Sequence, residues 1–465
     1  MIALTLDEIA GIVDGELAAG TRSALVVDGP AFLDSRKPVP GGLFAAFDGA
    51  NADGHDFAAG AVQAGAAAML GSRDVGVPGV IVRDVEAALG RLARGVLRRL
   101  PETTVIALTG SSGKTSTKDL LGQVLATHAP TVFTEGSFNN EIGLPLTVLR
   151  ADENTRYLLL EMGARGVGHI KQLCELAPPN IGLVLNIGTA HVGEFGSKET
   201  TASAKGELIE ALPKDGLAVL NADDEYVARM AERSDAPVLW FGDQPSARVR
   251  AADVTVDENS CAGFTLSVDG VEARAQLRFV GEHQVSNALA AAAVCTGVGM
   301  TVPEIAAGID AAEPLSGGRM TVTHRADGVI VIDDAYNANP ESMRAGLKAL
   351  ATLARARSAG RSWAVLGQMA ELGDSSAEAH DALGRLAVRL RVDRVLAVGP
   401  EARMIHAGAM HEGSGGQESA TVADPDEAIA VLRAQLRPGD VVLVKASNSV
   451  GLRRVARALL EDDER

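Results

Sequence analysis

The stretch from Thr104 to His128 constrains the fold more than any other part of the chain. It opens with TVIALT, a β-branched and apolar run suited to a buried parallel strand. The glycine-rich turn TGSSGKT follows at once, and the residues after it have the composition and spacing of a helix. Strand, turn and helix in that order form a phosphate cradle. Gly110 and Gly113 let the backbone bend so that its N–H groups face phosphate oxygens, Ser111, Ser112 and Ser116 line the bend, and the helix N-terminus adds a favourable dipole. Lys114 would neutralise the β and γ phosphates and the Thr115 hydroxyl would coordinate a magnesium ion, so the expected ligands are ATP and Mg2+. The strict pattern GxxxxGK[ST] is not met, because Leu108 stands at its first glycine. An ordinary strand-to-helix turn with a solvated lysine is the competing reading, and the flanking elements favour the nucleotide.

Around this centre the chain divides. A length of 465 residues exceeds what one hydrophobic core organises. The first hundred or so residues alternate short apolar runs with Gly and Pro turns and end in a helical stretch, Ala87 to Leu100, before Pro101. The apolar runs YLLLE, ending at Glu161, and IGLVLNI, ending at Ile187, alternate with helical segments, as in a parallel doubly wound sheet. The segment DAAEPLSGGRM, Asp310 to Met320, marks a second boundary. Beyond it VIVIDD, SWAVLG, RVLAVG and VVLVKA suggest another α/β sheet without the GxGxxG of a dinucleotide site. The expected architecture is α/β in three domains: a small α/β unit at 1–102, a central P-loop-type parallel sheet at 103–315 and a Rossmann-like unit at 316–465.

The formal charge of −17 opposes a phosphate backbone, so no nucleic-acid partner is expected. Three widely spaced cysteines, Cys174, Cys261 and Cys295, suggest neither a disulfide framework nor a zinc site. The N-terminal segment is acidic where a secretory signal is basic, and no long apolar run suits a membrane span. A cytoplasmic protein, monomeric as its working unit, is expected.

With the phosphate loop joined to FNNEIGLP (Phe138 to Pro145), EMGARG, HVGEFGS and DDAYNANPESM (Asp333 to Met343), essentially the whole chain resembles the Mur ligase family. The resemblance implies three domains that hold the uridine end of one substrate, ATP, and the incoming amino acid or dipeptide. NNEIG and DDAYNANP are similar to the dipeptide-adding branch, and no DNPR-type sequence of the diamino-acid-adding branch is present. The implied activity is an ATP-dependent ligase of cell-wall precursor synthesis. It would join D-alanyl-D-alanine to UDP-N-acetylmuramoyl-tripeptide through an acyl phosphate, releasing ADP and phosphate. A family member with another amine donor, such as a diaminopimelate-adding or folylpolyglutamate ligase, and a non-catalytic nucleotide-dependent scaffold remain as alternatives.

The resemblance also carries residue roles. Glu161 and His191 follow apolar strands and would help hold magnesium; read alone they are a capping carboxylate and a turn histidine. Lys205, in SAKGELIE, matches a lysine that many family members carry as a carbamate, whereas read alone it is an exposed helix lysine. Asn287 matches an adenine contact, with Gln284 where many relatives have asparagine. Arg319 and Asp334 would take a terminal phosphate and the ribose hydroxyls, chemistry that suits a guanidinium and a carboxylate, although each is by itself a solvated surface residue. In the first domain DSR offers Ser35 and Arg36 to a uridine diphosphate, or only a loop salt bridge. Asn139, Asn140 and Asn337 lie in the substrate-branch motifs, and Lys445, Ser447 and Asn448 in KASNSVGL offer a cation, a hydroxyl and an amide to a dipeptide carboxylate. GQMAELG, Gly367 to Gly373, would line the same cleft.

Overall fold

The computed structural model describes residues 1–49, 52–188, 196–356, 360–415 and 418–461. Its centre is a nine-stranded sheet in which the strand Thr104–Thr109 lies between Tyr157–Glu161 and Ile181–Val184, parallel to both. The near-continuous apolarity of these strands follows from their being covered on both faces. Val105, Ala107, Leu158 and Leu160 enter one core, while Ile106, Leu108 and Leu159 enter the core on the other side. The strand twofold repeat thus sends alternate residues to opposite layers. Helix Lys114–His128 covers the second face together with Gln284–Gly297, whose run Ala290 to Ala293 is fully buried and lets the two helices and the sheet approach closely.

The sheet is not parallel throughout. Cys261–Val268 and Val271–Val280 form an antiparallel hairpin that extends one edge beyond Val249–Val256. The expected doubly wound pattern stops at Val249–Val256 because the four-residue link Asp257–Ser260, with Ser260 at positive φ, turns the chain straight back on itself and leaves no room for a crossover helix; the two-residue link Asp269–Gly270, with both residues at positive φ, then closes a second hairpin.

The first domain is a small five-stranded sheet in the order Glu16–Leu17, Gly79–Ile81, Ala68–Gly71, Leu43–Ala45, Ala31–Phe32. The helix before the central domain spans Val85–Leu97, capped by Asp84. Its buried Leu89, Leu92 and Val96 share one continuous core with Val105, Leu144 and Ile170, so the first two domains are packed into each other.

The third domain holds a six-stranded sheet ordered Thr321–His324, Ile330–Asp333, Val441–Lys445, Ser362–Leu366, Arg394–Val398, Ser419–Val422. All but the first are parallel, and helices cover both faces. The linker into this domain is fastened to the helix behind the phosphate loop. The Gln123 side chain both donates to the Glu313 carbonyl at 2.8 Å and accepts from its N–H at 3.1 Å, and Asp119 accepts from Ser316 N at 3.0 Å. Among the described residues no helix is long and apolar enough to cross a membrane, and the three cysteines are buried and free.

Candidate active site

The carboxyl ends of the central strands open into a cleft of about 1050 Å³ roofed by the third domain. The phosphate loop forms one wall. Gly113 turns it at φ +79°, a conformation that costs a side-chain-bearing residue and suits glycine, immediately before the helix begins at Lys114. The loop is held from beneath by Asn186. The Asn186 side-chain oxygen accepts from Ser112 N at 3.0 Å, its amide donates to the Ser112 carbonyl at 3.2 Å, and its backbone carbonyl accepts from Ser111 N at 3.0 Å. The Ser111 hydroxyl is buried with no partner among the described residues, the state of a donor waiting for an acceptor. Lys114 Nζ donates to the Gly110 carbonyl at 2.7 Å. Burial lowers its pKa; Glu161 opposes that shift and Arg319 adds to it. Thr115 and Ser116 also line the cleft.

Glu161 ends its strand 1% exposed. One carboxylate oxygen accepts from the Asn139 side chain at 2.7 Å; the other is buried with no hydrogen-bond partner among the described residues. An anionic oxygen in that condition is costly unless a cation meets it, so the donor set fits a hard divalent ion. His191 lies outside the described residues. Among the described residues no group of three or more His, Cys, Asp or Glu is placed to hold a metal.

Lys205 is not an exposed helix lysine. It sits on helix Lys198–Glu210, whose face from Ala204 to Ile209 is buried despite its polar sequence, and is itself 1% exposed. It lines the cleft, and its pKa falls well below the usual value through burial first and Lys114 second. No anion pairs with it among the described residues. A neutral amine in such a place is the form that adds carbon dioxide, so the site fits the carbamate as well.

Asn287 and Gln284 are buried beside the loop, joined by a 2.7 Å hydrogen bond from the Asn287 amide to the Gln284 oxygen. Asn287 Oδ1 would lie 2.5 Å from a Cβ added at Gly113, which makes glycine there a matter of space as well as of backbone angle. Arg319, Asn337 and Asn448 all reach the cleft, as do Asn140 and, from the GQMAELG loop, Glu371.

Three expectations change. Lys445 is no free cation for a dipeptide: it is 1% exposed and donates to Asp334 Oδ2 at 2.6 Å and to the Asn337 carbonyl at 2.9 Å. Asp334 is correspondingly engaged, its second oxygen accepting from Met320 N at 3.1 Å. The Ser447 hydroxyl accepts from Ala370 N at 2.9 Å and is absorbed in positioning that loop. Ser35 and Arg36, the expected uridine-diphosphate contacts, lie in the first domain outside this cleft, where Arg36 Nε pairs with Asp34 Oδ1 at 2.8 Å and the arginine side chain is 88% exposed. Asn139 and Asn140 serve local structure too, the first through Glu161 and the second by accepting from Gly143 N at 2.9 Å. Sequence reasoning missed Asn186, Tyr336 and Glu341; the signal for Asn186 was a single polar residue inside the apolar run IGLVLNI.

Three family descriptions match the chain: Mur ligase family, catalytic domain, over residues 32–96; Mur ligase middle domain over 108–295; and Mur ligase, glutamate ligase domain, over 318–448. The UDP-N-acetylmuramoyl-tripeptide–D-alanyl-D-alanine ligase of Mycobacterium tuberculosis is 50% identical, the match covering 100% of this chain and 99% of the relative. The Escherichia coli ligase of the same name is 36% identical over 99% of both. Among solved structures, MurF from Acinetobacter baumannii superposes with a TM-score of 0.85 at 30% identity over 99% of both chains. MurF from Thermotoga maritima in complex with ADP gives 0.77 at 30% identity, over 94% of this chain and 98% of that one. A phosphate loop facing a buried carboxylate and a buried lysine, in a three-domain frame that matches these proteins from end to end, leaves one assignment: the chain belongs to the Mur ligase family.

Proposed function

We propose that the protein is an ATP-dependent ligase that forms the amide bond between UDP-N-acetylmuramoyl-tripeptide and D-alanyl-D-alanine in peptidoglycan precursor synthesis. The observation that carries the reading is the convergence of Lys114, Glu161, Lys205 and Arg319 on one cleft, in a chain 50% identical to a ligase of that name. In this reading residues 1–102 receive the uridine end, 103–315 the ATP and 316–465 the dipeptide.

The loop N–H groups, the Ser111 hydroxyl and Lys114 hold the phosphates, and Arg319 meets the terminal phosphate from the third domain. Thr115, Glu161, His191 and carbamylated Lys205 would hold magnesium, which when bound neutralises phosphate oxygens and draws the substrate carboxylate near. A carboxylate oxygen of the tripeptide attacks the γ phosphorus and ADP leaves, giving an acyl phosphate. The dipeptide amine then attacks the acyl carbon, phosphate leaves, and the amine gives up its proton. Since an acyl phosphate is open to hydrolysis, a cleft roofed by a separate domain protects it from water.

The test is to incubate the protein with UDP-N-acetylmuramoyl-tripeptide, D-alanyl-D-alanine, ATP and magnesium and to weigh the products by mass spectrometry. The expected product is the UDP-linked pentapeptide with one ADP for each amide. ATP consumed without amide from any donor, or a diamino acid used in preference to the dipeptide, would sink it.

A further inference from the structure

Tyr336 occupies the junction between the linker, the third domain and the central domain. The Arg319 guanidinium lies over its ring, 4.3 Å from Cζ to the centroid, and Arg453 approaches the ring at 5.9 Å. Its hydroxyl is hydrogen-bonded to the Ser137 hydroxyl. Ser137 lies two residues before Asn139, whose amide fixes Glu161. The two arginines differ in their surroundings. Asp333 feels the charge of Arg453, whereas Arg319 has no hydrogen bond or ion pair among the described residues and acts on Lys114 across the cleft. An arginine without an acid has many rotamers to choose from, and a ring beneath its plane selects among them.

Resting on the ligase reading above, we propose that Tyr336 is a positioning residue: its ring aims Arg319 into the cleft, and its hydroxyl ties that arginine to the Ser137–Asn139 loop when the third domain meets the central one. The phosphate contact and the carboxylate's partner are thereby assembled together. The two halves of the side chain have separable effects. The ring governs the reacting geometry, and the hydroxyl governs how readily the domains come together on nucleotide.

The experiment compares Tyr336→Leu, Tyr336→Phe, Ser137→Ala and the Tyr336→Phe/Ser137→Ala pair in the full-length protein, measuring kcat and the KM for ATP. Loss of the ring should lower kcat by roughly 10- to 30-fold, and phenylalanine should restore it to within about threefold. Tyr336→Phe and Ser137→Ala should raise the KM for ATP by similar factors, with the pair no worse than either alone. In an Arg319→Ala background Tyr336→Leu should cost nothing further. Each hydroxyl deletion removes one atom, so that arm stands even if the leucine variant fails to fold. Unchanged kinetics in Tyr336→Leu, failure of phenylalanine to rescue, or additivity with Arg319→Ala overturns the proposal. Amide synthesis by the unsubstituted protein separates these results from failure of the ligase reading, which would remove the proposal with it.

Discussion

Asn139 donates to one oxygen of Glu161 and leaves the other buried and unpaired in the described structure. The pair divides the carboxylate into a half that is fixed and a half that is offered. Fixing the first oxygen sets the plane of the group, so that the second is aimed before any ion arrives.

Glu161→Gln should therefore separate stability from activity. Turnover should fall on the order of 100-fold or more. The metal-free variant should melt no lower than the unsubstituted protein, because an unpaired buried oxygen costs about 1–3 kcal/mol. Differential scanning fluorimetry with and without magnesium and ADP checks both halves: the added ligands should raise Tm in the parent far more than in the variant. A variant that is less stable without metal and equally stabilised with it would remove the metal role.

Lys205 gives a pH dependence whose sign is fixed. Its folded pKa lies well below the ordinary lysine value of 10.5, so the unfolded chain binds more protons between the two and stability rises with pH across that window. In carbon-dioxide-free buffer Lys205→Met should melt higher than the parent at neutral pH, and the gap should narrow as pH approaches 10.5. Adding 13C-labelled bicarbonate should give the parent, not the variant, a new carbamate signal by NMR. No such signal would dismiss the modification.

Gly113→Ala combines two penalties. The left-handed backbone costs a Cβ-bearing residue about 1–2 kcal/mol, and the added carbon meets Asn287 Oδ1, itself held by Gln284. Stability and ADP affinity should both fall. Gly113→Ala with Asn287→Ala should recover only the contact share. Calorimetric titration of ADP checks this; full recovery would mean that the backbone angle is unimportant.

The buried Lys445–Asp334 pair predicts non-additivity. Lys445→Met alone strands a carboxylate and should cost about 3–5 kcal/mol, whereas Lys445→Met/Asp334→Asn should regain most of it. Urea unfolding of the single and double variants measures the coupling. Equal losses in both would show that the charges do not pair in solution.

What could be read in advance was local. The phosphate loop is a continuous segment whose strand, glycines and helix each announce themselves, and Glu161 stands at the end of an apolar strand. What could not be read depends on pairing between distant segments. Asn186 reaches the loop because Val184 pairs with Thr109. Lys445 reaches Asp334 because Val444 pairs with Asp333, more than a hundred residues earlier in the chain. The burial of Lys205 was hidden by the polar face of KETTASAKGELIE, whose covering comes from tertiary packing around the helix. The internal ion pair of the DSR segment, by contrast, was within reach of local reasoning, because Asp34 and Arg36 stand two residues apart.

The fastening of Gln123 to Glu313 and of Asp119 to Ser316 determines where the protein can bend. The start of the linker is held to the nucleotide helix, whereas the Gly318 carbonyl accepts from Tyr336 N at 3.3 Å and Met320 N donates to Asp334 at 3.1 Å, so the link left between the two sets of bonds is Gly317. Gly318 and Met320 just beyond it both hold positive φ angles, of 74° and 55°. Arg319 is thus fastened on the third domain's side of that link, and a turn at Gly317 would carry its guanidinium, with the Tyr336 ring beneath it, as part of that domain.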